Sequence, residues 1–445
     1  MGMKMRGFNT NPFKAKPHFI TKKLFSYALY AILPIAVVSL CFYQLTPITE
    51  TPVAQFRHNT PPIVITSPVE DSPQKGSDDV KSNNQLPCHY SNGKWVPSEL
   101  GPLYNGTSCG TIKDGQNCMS HGRPDLGYLS WRWQPNEEHC NVPRFDPVKF
   151  LDLMRNKHLA FVGDSMARNQ LESLMCMLAS VSSPSLVYSS GDDNKFRRWH
   201  FASWNVIVSV YWSPFLVKGI EKTEQENYNK LLMDSVDERW ANDLGSIDML
   251  VLSIGHWYLH PAVYSEGDSV LGCHYCPGLN HTEIGFYGVF GKAFRTALKA
   301  IAERKGHGGN GIDVVVTTFS PHHFEGEWDK AGACPKTEPY QEKELQAMDE
   351  QMREAELEAV EEVTPVALRE SGGRVRITAL DVTRLASLRP DGHPGPYMHP
   401  FPFANGVQDR VQHDCVHWCL PGPIDTWNEI MLEIMKGWQS DDSTR

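Results

Sequence analysis

The sequence predicts an α/β domain with a central, mostly parallel β-sheet, cross-linked by disulfides and preceded by one N-terminal transmembrane helix. Three observations lead to this prediction. Short apolar runs of strand length alternate with helical or long loop segments, as expected for parallel strands covered on both faces. One uncharged stretch near the N-terminus is long enough to cross a bilayer. Of the 11 cysteines, all but Cys41 follow that stretch, which leaves an even number for disulfides in an oxidising compartment.

Five apolar runs have the length and the β-branched content of strands. They are Leu159–Val162, Val206–Tyr211, Ile247–Leu252, Ile312–Thr318 and Val375–Leu380. Apolar residues at helical spacing predict the helices Met166–Leu178, Ala293–Ala302, Glu342–Val363 and Ile424–Trp438. The third helix is crowded with glutamates, which we interpret as a solvated face without a chemical role.

The N-terminal region divides into three predicted segments. Residues 24–43 carry no charge and follow several basic residues with no acidic one, so the positive-inside rule predicts a cytosolic tail at 1–23 and a transmembrane signal anchor at 24–43. A cleaved signal peptide is the alternative, but the long run with its bulky end favours retention. Residues 44–86 are rich in Pro, Thr, Ser, Asn and Asp and predict a flexible luminal stem. Residues 87–445 form the predicted folded domain.

A Gly163-Asp164-Ser165 tripeptide stands between the first predicted strand and the first predicted helix. Ser165 then lies at a helix N-terminus, where free N–H groups and the helix dipole favour developing negative charge. The pattern predicts a serine nucleophile beside a partial oxyanion hole. The alternative is that Asp164 or Ser165 only caps the helix. A second copy, Gly267-Asp268-Ser269, has no strand run before it and is interpreted as a loop.

A serine hydroxyl needs a base, and the base needs a partner that fixes its tautomer. Asp414 and His417 fit these roles, and they precede Pro421-Gly422-Pro423 and the last predicted helix. A loop at such a boundary can reach the carboxyl edge of a parallel sheet, where ligands bind in open α/β folds. A single histidine among 18 is more often structural, so this prediction depends on the combination with Ser165.

Several longer sequence segments surround these motifs. They are Cys88–Trp95, Asn105–Cys109, Tyr128–Pro135, Phe161–Gln170, Gly255–Trp257, Ser320–Trp328 and Asp414–Gly422. In these segments the chain resembles the plant trichome birefringence-like proteins, polysaccharide O-acetyltransferases of the SGNH (GDSL-like) esterase group. The resemblance runs from about Cys88 to the C-terminus. It implies an SGNH-like three-layer sandwich, with Ser165, Asp414 and His417 as a catalytic triad.

The resemblance also implies an activity: transfer of acetyl groups to hydroxyls of a cell-wall polysaccharide through an acetyl-serine. Residues 255–276 are most similar to members that act on xyloglucan, with xylan, mannan and pectin as alternatives. An acetyl esterase with the same triad, or a glycan-binding protein with an inactive site, are competing interpretations. No bound cofactor is expected, but an acetyl donor is required, either acetyl-CoA or a relayed acetyl carrier. Acetyl-donor relay proteins are therefore candidate partners.

The resemblance further implies four disulfides. They join Cys88 with Cys140, Cys109 with Cys176, Cys118 with Cys419, and Cys334 with Cys415. Cys273 and Cys276 remain, and a small-loop disulfide is favoured there over a zinc site, because no second ligand pair stands at zinc spacing. No metal is expected.

Binding residues are less well defined by the sequence. Many esterases of the wider superfamily have an oxyanion-binding asparagine after the third strand, but Ile254–Trp257 contains none. Candidate donors or substrate contacts are the Ser165 N–H, Gly255, His256 and Arg168. His322 or His323 is a candidate for contact with the acceptor or for a structural hydrogen bond. Exposed aromatic residues can stack on sugar rings, and the candidates are Trp131, Trp133, Trp257, Tyr258, Trp328 and Trp418.

Charge and sequons complete the prediction. A net charge of −10 disfavours nucleic acid or polyanionic partners and fits a neutral glycan better. Asn105 and Asn280 begin N-glycosylation sequons, which are usable if that side is luminal. The expected protein is a single-pass type II protein of the Golgi membrane with a luminal catalytic domain.

Overall fold

The structure, a computed structural model, describes residues 88–191, 195–306, 310–406 and 410–444. The predicted cytosolic tail, transmembrane helix and stem lie outside these residues. Among the helices that are described, none combines the length and the apolar character needed to cross a bilayer.

The strands and helices are named in chain order. The strands are β1 (Gly93–Pro97), β2 (Trp131–Pro135), β3 (His158–Gly163), β4 (Ser185–Ser190), β5 (Phe196–Phe201), β6 (Val206–Trp212), β7 (Val217–Ile220), β8 (Asn229–Val236), β9 (Met249–Ser253), β10 (Ala262–Glu266), β11 (Ser269–His274), β12 (Ile312–Thr317) and β13 (Val375–Leu380). The helices are α1 (Pro147–Leu153), α2 (Ser165–Ala179), α3 (Glu238–Ala241), α4 (Tyr287–Gly306), α5 (Ala347–Glu370), α6 (Thr383–Ser387) and α7 (Asp425–Thr444).

A seven-stranded sheet organises the fold in the order β13-β12-β9-β3-β6-β5-β4. The first five strands are parallel, and they are the five strands predicted from apolar runs. β5 and β4 extend the sheet in antiparallel fashion and were not predicted. β4 contains the short apolar run Leu186-Val187-Tyr188, but every residue of this strand is exposed and the strand lies at the edge of the sheet. A four-stranded sheet of β11-β10-β8-β7 and a two-stranded sheet of β1 and β2 were also not predicted.

Alternate residues of the central strands enter two separate cores. Leu159 and Phe161 of β3 pack with α2 and α7 on one face of the sheet. Ala160 and Val162 pack with α4 and α5 on the other face. This period of two gives a helix–sheet–helix sandwich, which agrees with the predicted α/β class and fits an SGNH-like fold.

The predicted helices are present with shifted ends. α5 begins at Ala347 rather than at Glu342, since Gln346 has an extended backbone (φ −68°, ψ 148°), and it continues past Pro365 to Glu370. The second Gly-Asp-Ser copy lies at the hairpin turn between β10 and β11, where Ser269 is the first residue of β11. It therefore lacks the strand–turn–helix setting of Ser165.

Candidate active site

The turn between β3 and α2 requires glycine because another backbone segment approaches it closely. A Cβ atom on Gly163 would lie 1.8 Å from the carbonyl oxygen of Ser253, at the end of β9. The next residue, Asp164, donates its N–H to that same carbonyl at 3.1 Å. The close approach of β3 and β9 thus sets where α2 begins.

Asp164 is both the helix cap and a tether. Its Oδ1 accepts the N–H of Met166 at 2.8 Å, and its Oδ2 accepts the N–H of Gly255 at 3.0 Å. Burial raises the pKa of this carboxyl to about 6, while the two N–H contacts oppose that shift. Capping therefore falls to Asp164, and the Ser165 hydroxyl is not the cap of α2.

The first residue of α2 is also one of its few accessible residues. From Ser165 to Leu178, every residue is buried except Ser165 and Arg168. These two are three positions apart, so they lie on neighbouring positions of the same helix face. α2 thus reaches the surface at the predicted nucleophile and at one arginine.

Asp414 and His417 form a direct pair in the loop before α7. His417 Nδ1 donates to Asp414 Oδ2 at 2.7 Å, while Asp414 Oδ1 accepts the N–H groups of Val416 and His417 at 3.0 and 2.9 Å. With Nδ1 as donor, Nε2 of neutral His417 carries the lone pair of a base. The His417 side chain is 24% exposed and Asp414 is 14% exposed, so the ring reaches the surface and the carboxylate lies beneath it.

Contact between Asp414 and His417 shifts the pKa values of both residues in the direction that a catalytic base needs. Burial opposes charge on each residue, but attraction and hydrogen bonds between them outweigh it. The pKa of Asp414 is held well below its usual range, and the pKa of His417 is raised. The negative charge of Asp164 contributes to the raised pKa of His417, which places the nucleophile turn within electrostatic range of the base.

Asn169 joins two elements of the site. One is the loop that carries the predicted base His417, called the base loop below, and the other is α2, the helix that begins at the predicted nucleophile Ser165. Its Oδ1 accepts the Trp418 N–H at 2.7 Å, and its Nδ2 donates to the Trp418 carbonyl at 3.3 Å. Asn169 is fully buried and stands one turn after Ser165 on α2. No role was predicted for it, although a buried amide among apolar residues of a helix is a signal that sequence reasoning could use.

His393 supports the same loop from its other side and was also not predicted. Its Nδ1 contacts the His417 carbonyl oxygen at 2.8 Å and therefore donates. Its ring stacks on Trp418, with centroids 4.3 Å apart. Burial lowers the pKa of His393 to about 4.

Several candidate binding residues prove to be engaged inside the protein. Both ring nitrogens of His323 have partners, His393 at 2.7 Å and the Ser387 carbonyl at 2.8 Å, and the residue is 6% exposed. His323 is thus placed for the structural alternative, not for contact with an acceptor. The Gly255 N–H already binds Asp164, so it is not available to an oxyanion.

His256 also has a limited choice of roles. Its Nε2 lies 2.9 Å from the Ser320 carbonyl oxygen and must carry the proton. Burial lowers the pKa of this ring to about 3, so the ring is neutral and its Nδ1 is an acceptor. His256 therefore cannot donate to an oxyanion through Nδ1. The Ser165 N–H and Arg168 remain as candidate donors, and the Arg168 guanidinium lies 5.5 Å from the Trp212 ring centroid.

The aromatic candidates separate by exposure. Trp133, Tyr258 and Trp418 are buried. Trp131 and Trp257 are partly exposed, and Trp328 is 56% exposed. The last three can meet a glycan, whereas the first three belong to the core.

Disulfides hold the loops around the site. The structure joins the pairs that the resemblance implied, and it joins Cys273 to Cys276. Cys419 with Cys118 and Cys415 with Cys334 flank His417 and tie its loop to distant segments. The side chains of Asn105 and Asn280, which begin the two sequons, are exposed.

Comparison with known proteins gives consistent matches. Residues 142–434 match the GDSL/SGNH-like acyl-esterase family found in Pmr5 and Cas1p, and residues 86–141 match the PMR5 N-terminal domain. The chain is 60% identical over 430 residues to xyloglucan O-acetyltransferase 1 of Populus trichocarpa, covering 95% of both chains. It is 54% identical over 423 residues to xyloglucan O-acetyltransferase 1 of Arabidopsis thaliana, covering 94% of this chain and 97% of the relative. It is 42% identical over 383 residues to protein trichome birefringence-like 25 of Arabidopsis thaliana, covering 84% and 82%.

Proposed function

The chain belongs to the GDSL/SGNH-like acyl-esterase family found in Pmr5 and Cas1p, and we propose that it transfers acetyl groups to hydroxyls of xyloglucan. Similarity to two proteins named xyloglucan O-acetyltransferase, each covering more than nine-tenths of this chain, supports the choice of polysaccharide. Xylan, mannan and pectin are the alternative acceptors.

One observation carries the proposed chemistry: the His417–Asp414 pair lies on a loop that Asn169 binds to the helix of Ser165. Acyl transfer through serine needs a base beside the hydroxyl and a group that fixes the tautomer of that base. Asp414 supplies the second requirement through its contact with Nδ1. Asn169 and the nucleophile turn support the first by holding both elements at one edge of the sheet.

The reaction proceeds in two displacements. Ser165 Oγ attacks the acetyl carbonyl while His417 Nε2 takes the serine proton, and His417 then gives that proton to the leaving group. A sugar hydroxyl next loses its proton to His417 and attacks the acetyl-serine, and the proton returns to Ser165 as the ester bond to the enzyme breaks. The Ser165 N–H and Arg168 are the proposed donors to the oxyanion of each intermediate.

The proposed location is the Golgi membrane, with residues 24–43 as the anchor and the catalytic domain in the lumen. The uncharged span, the basic residues before it and the absence of acidic ones support this orientation. The disulfides and the exposed sequons suit an oxidising, glycosylating compartment. Relay proteins that pass acetyl groups across the membrane are candidate partners.

A mass measurement tests the function. Full-length protein is incubated with an acetyl donor and a panel of xyloglucan, xylan, mannan and pectin oligosaccharides. The molecular mass of each product is then measured by mass spectrometry. We expect added acetyl groups on xyloglucan fragments and a transient acetyl group on the protein. Ser165→Ala should lose both signals, because it removes one hydroxyl from a turn that Gly163 and Asp164 still shape.

Ser269→Ala is the matched control, since it removes a serine from the same tripeptide at an exposed hairpin. It should retain full activity. Transfer by the Ser165→Ala protein would contradict the nucleophile. Loss of acetyl groups from acetylated xyloglucan, without any gain on the unmodified oligosaccharide, would identify an esterase instead.

A further inference from the structure

A cavity of about 310 Å³ lies beside α2. It is enclosed by α2, by β5 and β6, and by the segment 110–114. Its lining includes the charged residues Lys113, Arg168, Glu172 and Arg197. Its size is within the usual range for small-molecule sites.

The cavity is strongly basic. Lys113, Arg168 and Arg197 line it, and the charges of all three act on the buried Glu172. Burial raises the pKa of Glu172 to about 7, so near neutral pH this acid only partly offsets three cations. Asp114 also lines the cavity, but its side chain is 85% exposed and contacts His121 at 3.1 Å.

The environment of Arg197, on β5, indicates that the cavity binds a ligand. Arg197 Nε is buried and has no hydrogen-bond acceptor among the described residues. A buried guanidinium nitrogen without an acceptor is unfavourable, and an anion in the cavity would supply the acceptor. Arg198, the next residue, has a different setting, since it donates to Ser209, Tyr211 and Asp243.

The segment 110–114, which forms one wall of the cavity, is bonded to α2. The Lys113 N–H donates to Glu172 Oε2 at 3.2 Å, and the Cys109–Cys176 disulfide ties the same segment to α2. The cavity is therefore a fixed feature of the fold on the side of the helix that carries Arg168.

The cavity is also electrostatically connected to the site of acyl transfer. Arg168 acts on Asp164, the neighbour of Ser165, and Lys113 acts on His417. An anionic group held by these cations would be within reach of the nucleophile turn. Xyloglucan is built of neutral sugars and presents no anion, so the acceptor does not explain three cations here.

We propose that this cavity binds a phosphate-bearing part of the acetyl donor, with Lys113 and Arg197 as its ligands. The inference rests on the proposed function, because it assigns the donor of that reaction. With an acetyl thioester such as acetyl-CoA, Ser165 Oγ forms a bond to the acetyl carbon and the C–S bond breaks. His417 takes the serine proton and returns it to the leaving sulfur, so a free thiol departs.

Titration calorimetry of the full-length protein with CoA and with pyrophosphate tests the site without an acceptor. We expect both to bind wild type, with an affinity that falls as salt is raised. Arg197→Gln should weaken CoA binding by roughly tenfold or more, because one charge-assisted contact is lost. Arg198→Gln is the matched control on the same strand and should bind CoA as wild type does.

Kinetics separate a binding role from a structural one. Arg197→Gln should raise the KM for acetyl-CoA and leave kcat/KM for p-nitrophenyl acetate, an uncharged donor, unchanged. Equal losses with both donors would overturn the proposal. So would the absence of CoA binding to wild type, unchanged CoA binding by Arg197→Gln, or binding of pyrophosphate without CoA, which would mark a nonspecific anion site.

The same measurements distinguish this inference from the proposed function. A wild-type protein that acetylates xyloglucan from p-nitrophenyl acetate but does not bind CoA would retain the function and lose the donor site. CoA binding that depends on Arg197, without acetylation of any glycan, would retain the site and contradict the acceptor.

Discussion

Asn169 holds both backbone polar groups of Trp418, its Oδ1 accepting the N–H at 2.7 Å and its Nδ2 donating to the carbonyl at 3.3 Å. This paired contact links α2 to the residue that follows His417. The two residues are 249 positions apart, so the contact unites the two ends of the folded domain. It holds the loop of His417 against the helix that begins at Ser165.

Removal of the Asn169 amide should reduce activity more than its effect on stability explains. Asn169→Ala leaves the Trp418 N–H and carbonyl buried without partners, at a cost of about 1–3 kcal/mol. The loosened loop should also lower kcat by roughly tenfold to a hundredfold, because small errors in the position of a base are costly. Urea unfolding and acetyl-transfer kinetics measure the two effects.

Asn428→Ala is the control, since Asn428 is a fully buried amide that binds Gln170 and Ser173, away from the base loop. It should destabilise the protein to a similar extent with little change in kcat. Equal kcat losses in both variants would show that the Asn169 contact has no specific positioning role.

Replacement of Asp414 by asparagine should leave the fold and remove most of the activity. An amide at this position can present its NH₂ group to His417 Nδ1 and so favour the wrong imidazole tautomer. By analogy with serine proteases, kcat should fall by about 10⁴. The activity that remains should titrate at lower pH, because Asp414 is what raises the pKa of His417. A pH–rate profile with the midpoint of wild type would refute this role.

Loss of the Cys118–Cys419 disulfide should appear first as reduced stability. This bond closes a sequence separation of 301 residues, and removing such a cross-link costs about 2–5 kcal/mol. Cys419→Ser should therefore secrete poorly or unfold at lower urea concentration. The Cys276→Ser variant opens a loop with a separation of only 3 residues, so its effect should be smaller. A Cys419→Ser protein with wild-type unfolding and activity would show that packing alone holds the base loop.

Glu172 should make stability depend on pH in a defined direction. Its pKa is about 7 in the folded protein against an ordinary value of 4.5, so the folded state binds the proton more tightly. That contribution to stability is fully present below about pH 4.5 and is lost as pH rises through 7. Relative to Glu172→Gln, wild type should therefore lose up to about 3 kcal/mol between pH 5 and pH 8.

Urea unfolding of both proteins at the two pH values measures this change, with the exposed Glu99→Gln as a control. A difference between wild type and Glu172→Gln that stays the same at both pH values would disprove the raised pKa.

The proposed orientation predicts glycans on the catalytic domain. Asn105 and Asn280 are exposed, so luminal enzymes can modify both sequons. Glycosidase treatment should lower the mass of wild type and leave an Asn105→Gln, Asn280→Gln double variant unchanged. Wild-type protein that shows no mass change after expression in plant cells would place this domain on the other side of the membrane.

Local sequence was sufficient to predict the parallel part of the sheet and the strand–turn–helix setting of Ser165. Buried parallel strands are continuous apolar runs, and a serine at a strand–helix turn is visible within a few residues. The edge strand β4 was not predicted, and its place in the sheet is set by antiparallel pairing with β5. Strand pairing of this kind leaves no local pattern.

The roles of the residues around the site were decided by tertiary contacts. Gly255 and His323 were reasonable candidates in sequence, yet their polar groups are bound to Asp164, His393 and Ser387 in the folded chain. Asn169 and His393 had no predicted role, and each holds the base loop through contacts with residues distant in sequence. Sequence determines which side chains can donate, accept or ionise. Which of them remain available for a substrate depends on the partners that folding brings within hydrogen-bond distance, because each buried polar group must be paired.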